Sequence, residues 1–332
     1  MKKKAIGQIE FSPITMGCMA VADPGAWGAQ DESETIRTMH KAFELGINCF
    51  DTAPGYGNGY SEELLGKAFE GSKSVIIATK ISADSLRYDD CIKSCERSLK
   101  LLKRDYVDLL QVHWANPEVP FEETAQALIK LKEQGKIREY GVCNFGAEQT
   151  KEMLKLCNIK SNQLMYNLFF RGIEFELSDV LKENDLGLLT YSSLAQGLLT
   201  GKYNKLEEVP EALRRTRHYP CDMNPSSPHR EAGCKAEVEK ALSDLRAFAS
   251  DKGASVSEIA LAWLISKDLV TSVIAGARSV SQIERNAMAM QISLTQQEIS
   301  ELDGISESIK QKMGANLDPW RGVGGPVEPK IR

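Results

Sequence analysis

The sequence predicts an α/β fold of the (β/α)8 TIM-barrel type, and three observations carry that prediction. Short apolar, β-rich runs alternate with amphipathic helical runs, a pattern that implies parallel strand pairing. Eight such units occur in the 332-residue chain. That suits a closed barrel, typically about 250 residues, better than an open doubly wound sheet. No G-x-G-x-x-G follows the first barrel strand, which weakens the open dinucleotide-binding alternative.

Taken in order, residues 1–13 carry two short β-like pieces around Gly7 and read as a hairpin closing the bottom of the barrel. The strand-like runs are Ile14–Gly17, Ile47–Phe50, Val75–Thr79, Val107–Val112, Ile137–Val142, Ser161–Met165, Gly187–Tyr191 and Thr271–Ile274. Among the helical stretches, Glu34–Leu45 places Ile36, Met39, Ala42 and Phe43 at helical spacing. Phe121–Gln134 does so with Ala125, Leu128, Ile129 and Leu131, and Gly135 supplies a stop. The apolar helix Ile259–Leu264 makes Trp263 a core residue. Residues 203–233 are polar, with Pro210, Pro220, Pro225 and Pro228, and read as a long loop after the seventh strand. One domain is expected over 1–332, with a barrel over 14–290, a C-terminal helix and tail over 295–332, and a Gly- and Pro-rich stretch from 314.

Composition narrows the function classes. Hydrophobic residues make up 42% and charged residues 26%, as in soluble globular proteins. A net charge of −5, from 41 basic and 46 acidic residues, argues against a nucleic-acid partner. No apolar run of ~18 residues is present, so no membrane span is expected. Gln8 and Glu10 interrupt any signal-peptide core. The eight cysteines form no C-x-x-C pair, and only four histidines exist. Free thiols in a reducing cytoplasmic setting and no metal are therefore expected.

In such a barrel, chemistry sits where the strands end. Asp51, Lys80 and His113 follow three successive apolar strands, and Tyr56 lies on the loop Pro54-Gly55-Tyr56-Gly57. A phenol titrates near ~10, and an ammonium beside it lowers that value. Lys80 can supply the charge, Asp51 can hold Lys80, and His113 can donate to a carbonyl or relay a proton. Such a group protonates an oxygen as hydride reaches the neighbouring carbon.

These segments resemble the aldo-keto reductase superfamily over about residues 5–312. The resemblance lies in Ile47-Asn48-Cys49-Phe50-Asp51-Thr52-Ala53 with Tyr56-Gly57 and Ser61-Glu62. It continues in Asp105-Tyr106-Val107-Asp108-Leu109 through His113-Trp114, and in Gly135-Lys136-Ile137-Arg138-Glu139-Tyr140-Gly141-Val142-Cys143-Asn144-Phe145. It implies a catalytic tetrad of Asp51, Tyr56, Lys80 and His113 with Tyr56 as the acid, the same four residues the strand ends point to.

The resemblance also implies an NADP(H) site. Asn144 and Gln163 match positions that bind the nicotinamide carboxamide, and Tyr191 matches the aromatic residue under the ring. The stretch Leu194 to Lys202, with Gln196 and Gly197, resembles the loop over the pyrophosphate. Gly276-Ala277-Arg278-Ser279 opens the last barrel helix, followed by Gln282 and Asn286. Backbone N–H groups there suit a phosphate, and the Arg278 fork suits a 2′-phosphate. The chain departs from the family in three places: Cys143 stands for a usual Ser, a weaker donor; Ser193 stands for a common Pro, which predicts a looser loop; and Arg285 stands for Glu, adding positive charge.

Trp27 and Trp114, with Tyr56, are expected to shape the substrate pocket, and Trp320 reads either as core or as reaching over from the tail. Arg217 and His218 read as a solvated face of the long loop, the alternative being a substrate contact. The resulting expectation is an NADPH-dependent enzyme reducing aldehydes or ketones to alcohols. Two other readings stay open: a cofactor-binding regulatory subunit of the same fold, like the cytosolic subunits of potassium channels, and a sugar dehydrogenase working in the oxidative direction.

Overall fold

The computed structural model describes residues 3–321. Two short strands, β1 (Lys4–Ile6) and β2 (Ile9–Phe11), pair antiparallel around Gly7. The barrel strands follow: β3 (Ile14–Gly17), β4 (Cys49–Asp51), β5 (Ile76–Ile81), β6 (Val107–Val112), β7 (Ile137–Cys143), β8 (Ser161–Met165), β9 (Gly187–Tyr191) and β10 (Val270–Gly276). They pair in parallel, each with its sequence neighbour, and β10 closes on β3. The (β/α)8 barrel is thus the architecture found.

The helices between them are α1 (Pro24–Trp27), α2 (Glu32–Glu44), α3 (Tyr60–Ala68), α4 (Tyr88–Leu102), α5 (Phe121–Glu133), α6 (Ala147–Leu156), α7 (Leu177–Glu183), α8 (Lys235–Asp251), α9 (Val256–Ser266), α10 (Val280–Met288) and α11 (Gln296–Met313). Local chemistry sets their ends. Asp31 caps α2 by accepting from Glu34 N at 2.8 Å. Ser255 with Glu258 and Thr295 with Glu298 form capping boxes at α9 and α11.

The hairpin floors the barrel. Ile6, Ile9 and Phe11 pack with Cys49, Ile76, Ala78, Leu109, Leu189 and Ile274 in one buried cluster. Strand alternation then carries the interior face two residues on, from Cys49 to Asp51 and from Ala78 to Lys80, at the opposite end of the barrel. This is how apolar floor and polar mouth arise from the same strands.

Three expectations need correction. The second barrel strand begins at Cys49, not Ile47, and the Asn48 side chain is engaged by the second hairpin strand and the residue after it. Its side chain accepts from Ser12 N at 2.8 Å and donates to Glu10 O at 2.8 Å. The long loop 203–233 is not a solvated polar segment: Leu206, Val209, Thr216, Arg217, His218, Tyr219 and His229 are all buried. It folds through short 3-10 turns at Leu206–Glu208, Glu211–Leu213 and Cys221–Met223. Arg217 and His218 therefore leave the solvated face expected of them. His218 Nε2 lies 2.8 Å from Phe169 O, and burial pushes its pKa down to about 4. The tail expected from residue 314 is described to Arg321, and 322–332 lies outside the described residues. Trp263 is core, fully buried, with Nε1 donating to Asp303 at 2.8 Å.

Candidate active site

The mouth of the barrel gathers the four residues expected there. Asp51 ends β4, Lys80 lies on β5, His113 follows β6, and Tyr56 sits on the turn after β4. That turn needs Gly57: its φ is +60, and a Cβ there would stand 2.7 Å from Ala22 O. Lys80 Nζ donates to Asp51 Oδ1 at 2.6 Å and to Thr52 O at 2.8 Å, with the lysine 1% and Asp51 3% exposed. The ammonium stands 5.2 Å from the Tyr56 ring centroid. Tyr56 and His113 meet edge to face, with centroids 6.0 Å apart.

Burial sets the protonation states. It disfavours the Lys80 ammonium, but Asp51 and then Tyr56 outweigh it, so the lysine pKa rises and the charge stays. Burial also lifts the Tyr56 phenol to about 12, against the opposing pull of Lys80. The ammonium by itself predicts a lowered phenol. The ammonium acts in the expected direction, but loss of water around the ring exceeds it. Tyr56 is therefore a held proton at neutral pH. His113 is pushed down to about 3, by burial first and Lys80 second, and is neutral.

A second ring of contacts surrounds these four. Gln163 Nε2 donates to Asp51 Oδ2 at 2.7 Å. Asn144 Nδ2 donates to His113 O at 3.0 Å, and Asn144 Oδ1 accepts from Tyr191 OH at 2.7 Å. Cys143, 1% exposed, lies close enough to feel both Lys80 and Asp51, and burial raises its thiol far from ionisation. The Gln163–Asp51 bond escaped sequence reasoning. Its signal was the period-2 alternation of Ser161–Met165, which puts Gln163 on one face with Ser161 and Met165.

The residues expected to hold a dinucleotide lie on the loops and strand ends around β8, β9 and β10. Gly276 ends β10, and a Cβ there would meet nothing nearer than Gly17 O at 3.8 Å, so backbone is open to a ligand. After β9, Ser192, Ala195 and Gln196 hold left-handed φ of 50, 49 and 52, followed by Gly197 at 103. Left-handed backbone at non-glycine residues is costly, and the turn closes on itself: Ala195 N donates to Ser192 O at 2.7 Å and Gly197 N to Leu194 O at 2.9 Å. Leu194 caps this turn, while Lys202 stands exposed beyond it. Ser193, which stands where the looser loop was expected, has its hydroxyl 2.9 Å from Ile274 O and 3.0 Å from Thr190 O and donates its one proton there. Ser279 caps α10, Gln282 accepts from Arg278 N at 2.7 Å, and Asn286 donates to Gly276 O at 3.1 Å. Arg278 Nη2 donates to Ala29 O at 2.6 Å and Nη1 to Trp27 O, while its buried Nε has no partner. Arg285 is exposed and lines an open cleft with Glu258, Glu284 and Met288.

Of the pocket tryptophans, Trp114 directly follows His113 and meets Trp320 at 6.1 Å between centroids. Trp27 belongs to α1, tied to the last barrel helix through Arg278. All eight cysteines are free thiols. Among the described residues, no cluster of three metal-ligating side chains occurs, and no helix is long and apolar enough to cross a membrane.

Comparison with known proteins agrees with this geometry. The chain is 35% identical to the aldo-keto reductase YhdN of Bacillus subtilis, over 97% of this chain and 94% of that one. A glycerol dehydrogenase from Gluconobacter oxydans superposes with a TM-score of 0.79 at 28% identity, covering 99% and 98% of the two chains. An aldo/keto reductase from Klebsiella pneumoniae in complex with NADP and acetate gives a TM-score of 0.72 at 25% identity, covering 91% and 93%. The profile of the Aldo/keto reductase family matches residues 13–307, and the chain belongs to that family.

Proposed function

We propose that this protein is an NADPH-dependent carbonyl reductase in which Tyr56 protonates the carbonyl oxygen of an aldehyde or ketone. The carrying observation is the buried Lys80–Asp51 pair, whose ammonium stands 5.2 Å from the Tyr56 ring, with His113 edge-on to that ring. A nicotinamide dinucleotide held here would supply the hydride. Asn144, Gln163 and Tyr191 would hold its nicotinamide end, and the Leu194–Lys202 loop with Gly276, Ser279, Gln282 and Asn286 would hold the remainder. Arg278 would favour the phosphorylated form.

The chain's own groups do the acid chemistry. Tyr56 keeps its proton at neutral pH and releases it to an oxygen that is gaining charge. As the phenolate forms, the Lys80 ammonium stabilises it, and Asp51 fixes that ammonium in place. Neutral His113 orients the carbonyl without competing for the proton. Eight free thiols suit a cytoplasmic setting. The NADP-bound Klebsiella relative supports the cofactor assignment.

The test follows nicotinamide absorbance with a panel of aldehydes and sugars and each cofactor. Aldehyde-dependent oxidation of NADPH, faster than with NADH, supports the proposal. Bound cofactor that neither turns over nor leaves would favour a sensing subunit. Activity confined to polyol or sugar oxidation would reverse the assigned direction.

A further inference from the structure

One turn of helix joins Tyr56 to the two strands that carry Asp51 and Lys80. The Tyr56–Gly59 turn runs directly into α3, which opens with Tyr60, Ser61, Glu62 and Glu63. Glu63 is exposed and complements the helix dipole, the ordinary use of an acidic residue in a first turn. Ser61 and Glu62 are instead fully buried. Burying a carboxyl group is costly unless it is hydrogen-bonded, so Glu62 calls for a partner.

The partners of this pair are two threonines. Glu62 Oε1 accepts from Thr79 Oγ1 at 2.7 Å. Ser61 Oγ accepts from Thr52 Oγ1 at 2.8 Å and donates to Cys18 O at 3.0 Å. Both threonines are fully buried. Thr52 follows Asp51, and its carbonyl accepts from Lys80 Nζ at 2.8 Å. Its amide donates to Ala78 O at 2.9 Å, and the Cys18 amide donates to Asp51 O at 2.9 Å. Thr79 precedes Lys80 on β5, and strand alternation turns the two side chains to opposite faces. A bond made to Thr79 from the helix side therefore fixes the strand without entering the site. Burial raises the Glu62 carboxyl, and Thr79, Ser98, Arg97 and Lys80 oppose that rise in this order.

We propose that Ser61 and Glu62 are positioning residues that register α3, and with it the Tyr56 turn, against Thr52 and Thr79, and so set the spacing between the Tyr56 phenol and the Lys80 ammonium. The inference rests on the reading of Tyr56 as the proton donor. Two adjacent residues of one helix reach two adjacent strands, one beside Asp51 and the other beside Lys80. With either bond gone, α3 is free to shift against the strands, and the shift falls on the Tyr56–Lys80 spacing. The residues assigned to the dinucleotide lie around β8, β9 and β10 and are left in place. The phenolate that forms during proton transfer is stabilised only by an ammonium held at the right distance, so the effect falls on the chemical step.

The test reads the ammonium and the reaction separately in the holoenzyme. The Nζ resonance of Lys80 in isotope-labelled protein, identified by its loss in Lys80→Met, reports the buried ammonium without any turnover. Glu62→Leu and Thr79→Val are each expected to shift that resonance and to speed its proton exchange with water. Each is expected to lower kcat for a good aldehyde by up to about 10²-fold, the scale of a misplacement of roughly 1 Å, with KM and the Kd of NADPH unchanged. The double variant is expected to lose no more than either single one, since both remove one bond. Glu62→Gln and Thr79→Ser keep the acceptor and the donor, and are expected to recover most of the rate. Ser61→Ala is expected to act in the same direction through Thr52, and serves where Glu62→Leu does not fold. An unchanged Lys80 resonance in all three of Glu62→Leu, Thr79→Val and Ser61→Ala would overturn the proposal. So would an unchanged kcat in those variants, or a Glu62→Gln variant as slow as Glu62→Leu. An unmodified protein that reduces no carbonyl counts against the reading of Tyr56 alone, because the Lys80 resonance still answers for Ser61 and Glu62.

Discussion

Gln163 and Lys80 divide the Asp51 carboxylate between them: Gln163 Nε2 donates to Oδ2 at 2.7 Å and Lys80 Nζ to Oδ1 at 2.6 Å. The two donors come from strands on different sides of the barrel, β8 and β5, and meet on a residue of β4. Removing Gln163 leaves a buried charged oxygen without its partner. Gln163→Leu is expected to cost about 1.5–3 kcal/mol of stability, read by urea denaturation. Gln163→Glu is expected to cost more, since it sets a second carboxylate beside Asp51. A leucine variant as stable as the unmodified protein would remove this bond from the account.

Tyr56→Phe removes the phenolic proton and keeps the ring against His113. Turnover of a good aldehyde is expected to fall by ~10²–10⁴-fold, the usual reach of general acid catalysis. Cofactor affinity, titrated by tryptophan fluorescence, is expected to stay near normal. A loss below about tenfold would contradict the role of Tyr56.

Lys80→Met keeps bulk and removes charge. Asp51 is then buried with Gln163 as its remaining side-chain donor, an uncompensated charge that costs about 3–5 kcal/mol. Activity is expected to vanish with it. Asp51→Asn in the same chain is expected to restore stability but not turnover, because the charge imbalance is gone while the phenolate remains unsupported. Recovery of activity in the double variant would show that Lys80 serves packing alone.

Much of this site was legible in the sequence. Asp51, Lys80 and His113 each terminate an apolar run, and parallel pairing of those strands sends them to one end of a barrel. The direction of the Tyr56 shift was not legible. A charge is visible in a sequence, but the water excluded around a ring is a property of the packed mouth. Arg217 was misread for a related reason. A polar, Pro-containing loop looks solvated until its partners are known, and those partners, Asn316 and Met313, lie about a hundred positions away. Trp320 could be read either as core or as reaching over from the tail, and only the path of the tail sets it against Trp114 and Tyr191.

The neutral state of His113 has a measurable consequence. The unfolded chain takes up a proton at His113 near the ordinary 6.5, whereas the folded site refuses it until about 3. Stability therefore rises with pH across that window and is lost as the solution is acidified through it. His218, held at about 4 by burial, acts in the same direction. His113→Gln is expected to flatten the dependence of the urea midpoint between about pH 4 and 7. The same depression predicts that kcat/KM has no break near 6.5. An inflection there that disappears in His113→Gln would mean that the ring titrates in the folded protein.

Arg278 is expected to set the preference for the phosphorylated cofactor. Its Nη groups reach the carbonyls of Trp27, Gly28 and Ala29, and its buried Nε is left without a partner. Ser279, the next residue, caps the helix whose N-terminal amides favour an anion. A charge-assisted pair with a 2′-phosphate is worth about 1.5–3 kcal/mol, or roughly 10–150-fold in affinity. Arg278→Ala is therefore expected to weaken NADPH by that factor and leave NADH unchanged. Arg278→Lys is expected to recover part of the loss, because it keeps the charge without the fork. Loosening of the loop at Trp27 would weaken both cofactors alike, so the ratio of the two dissociation constants separates the effects. Equal losses would assign Arg278 to the loop. An unmodified protein that binds NADH as tightly as NADPH would place the 2′-phosphate elsewhere.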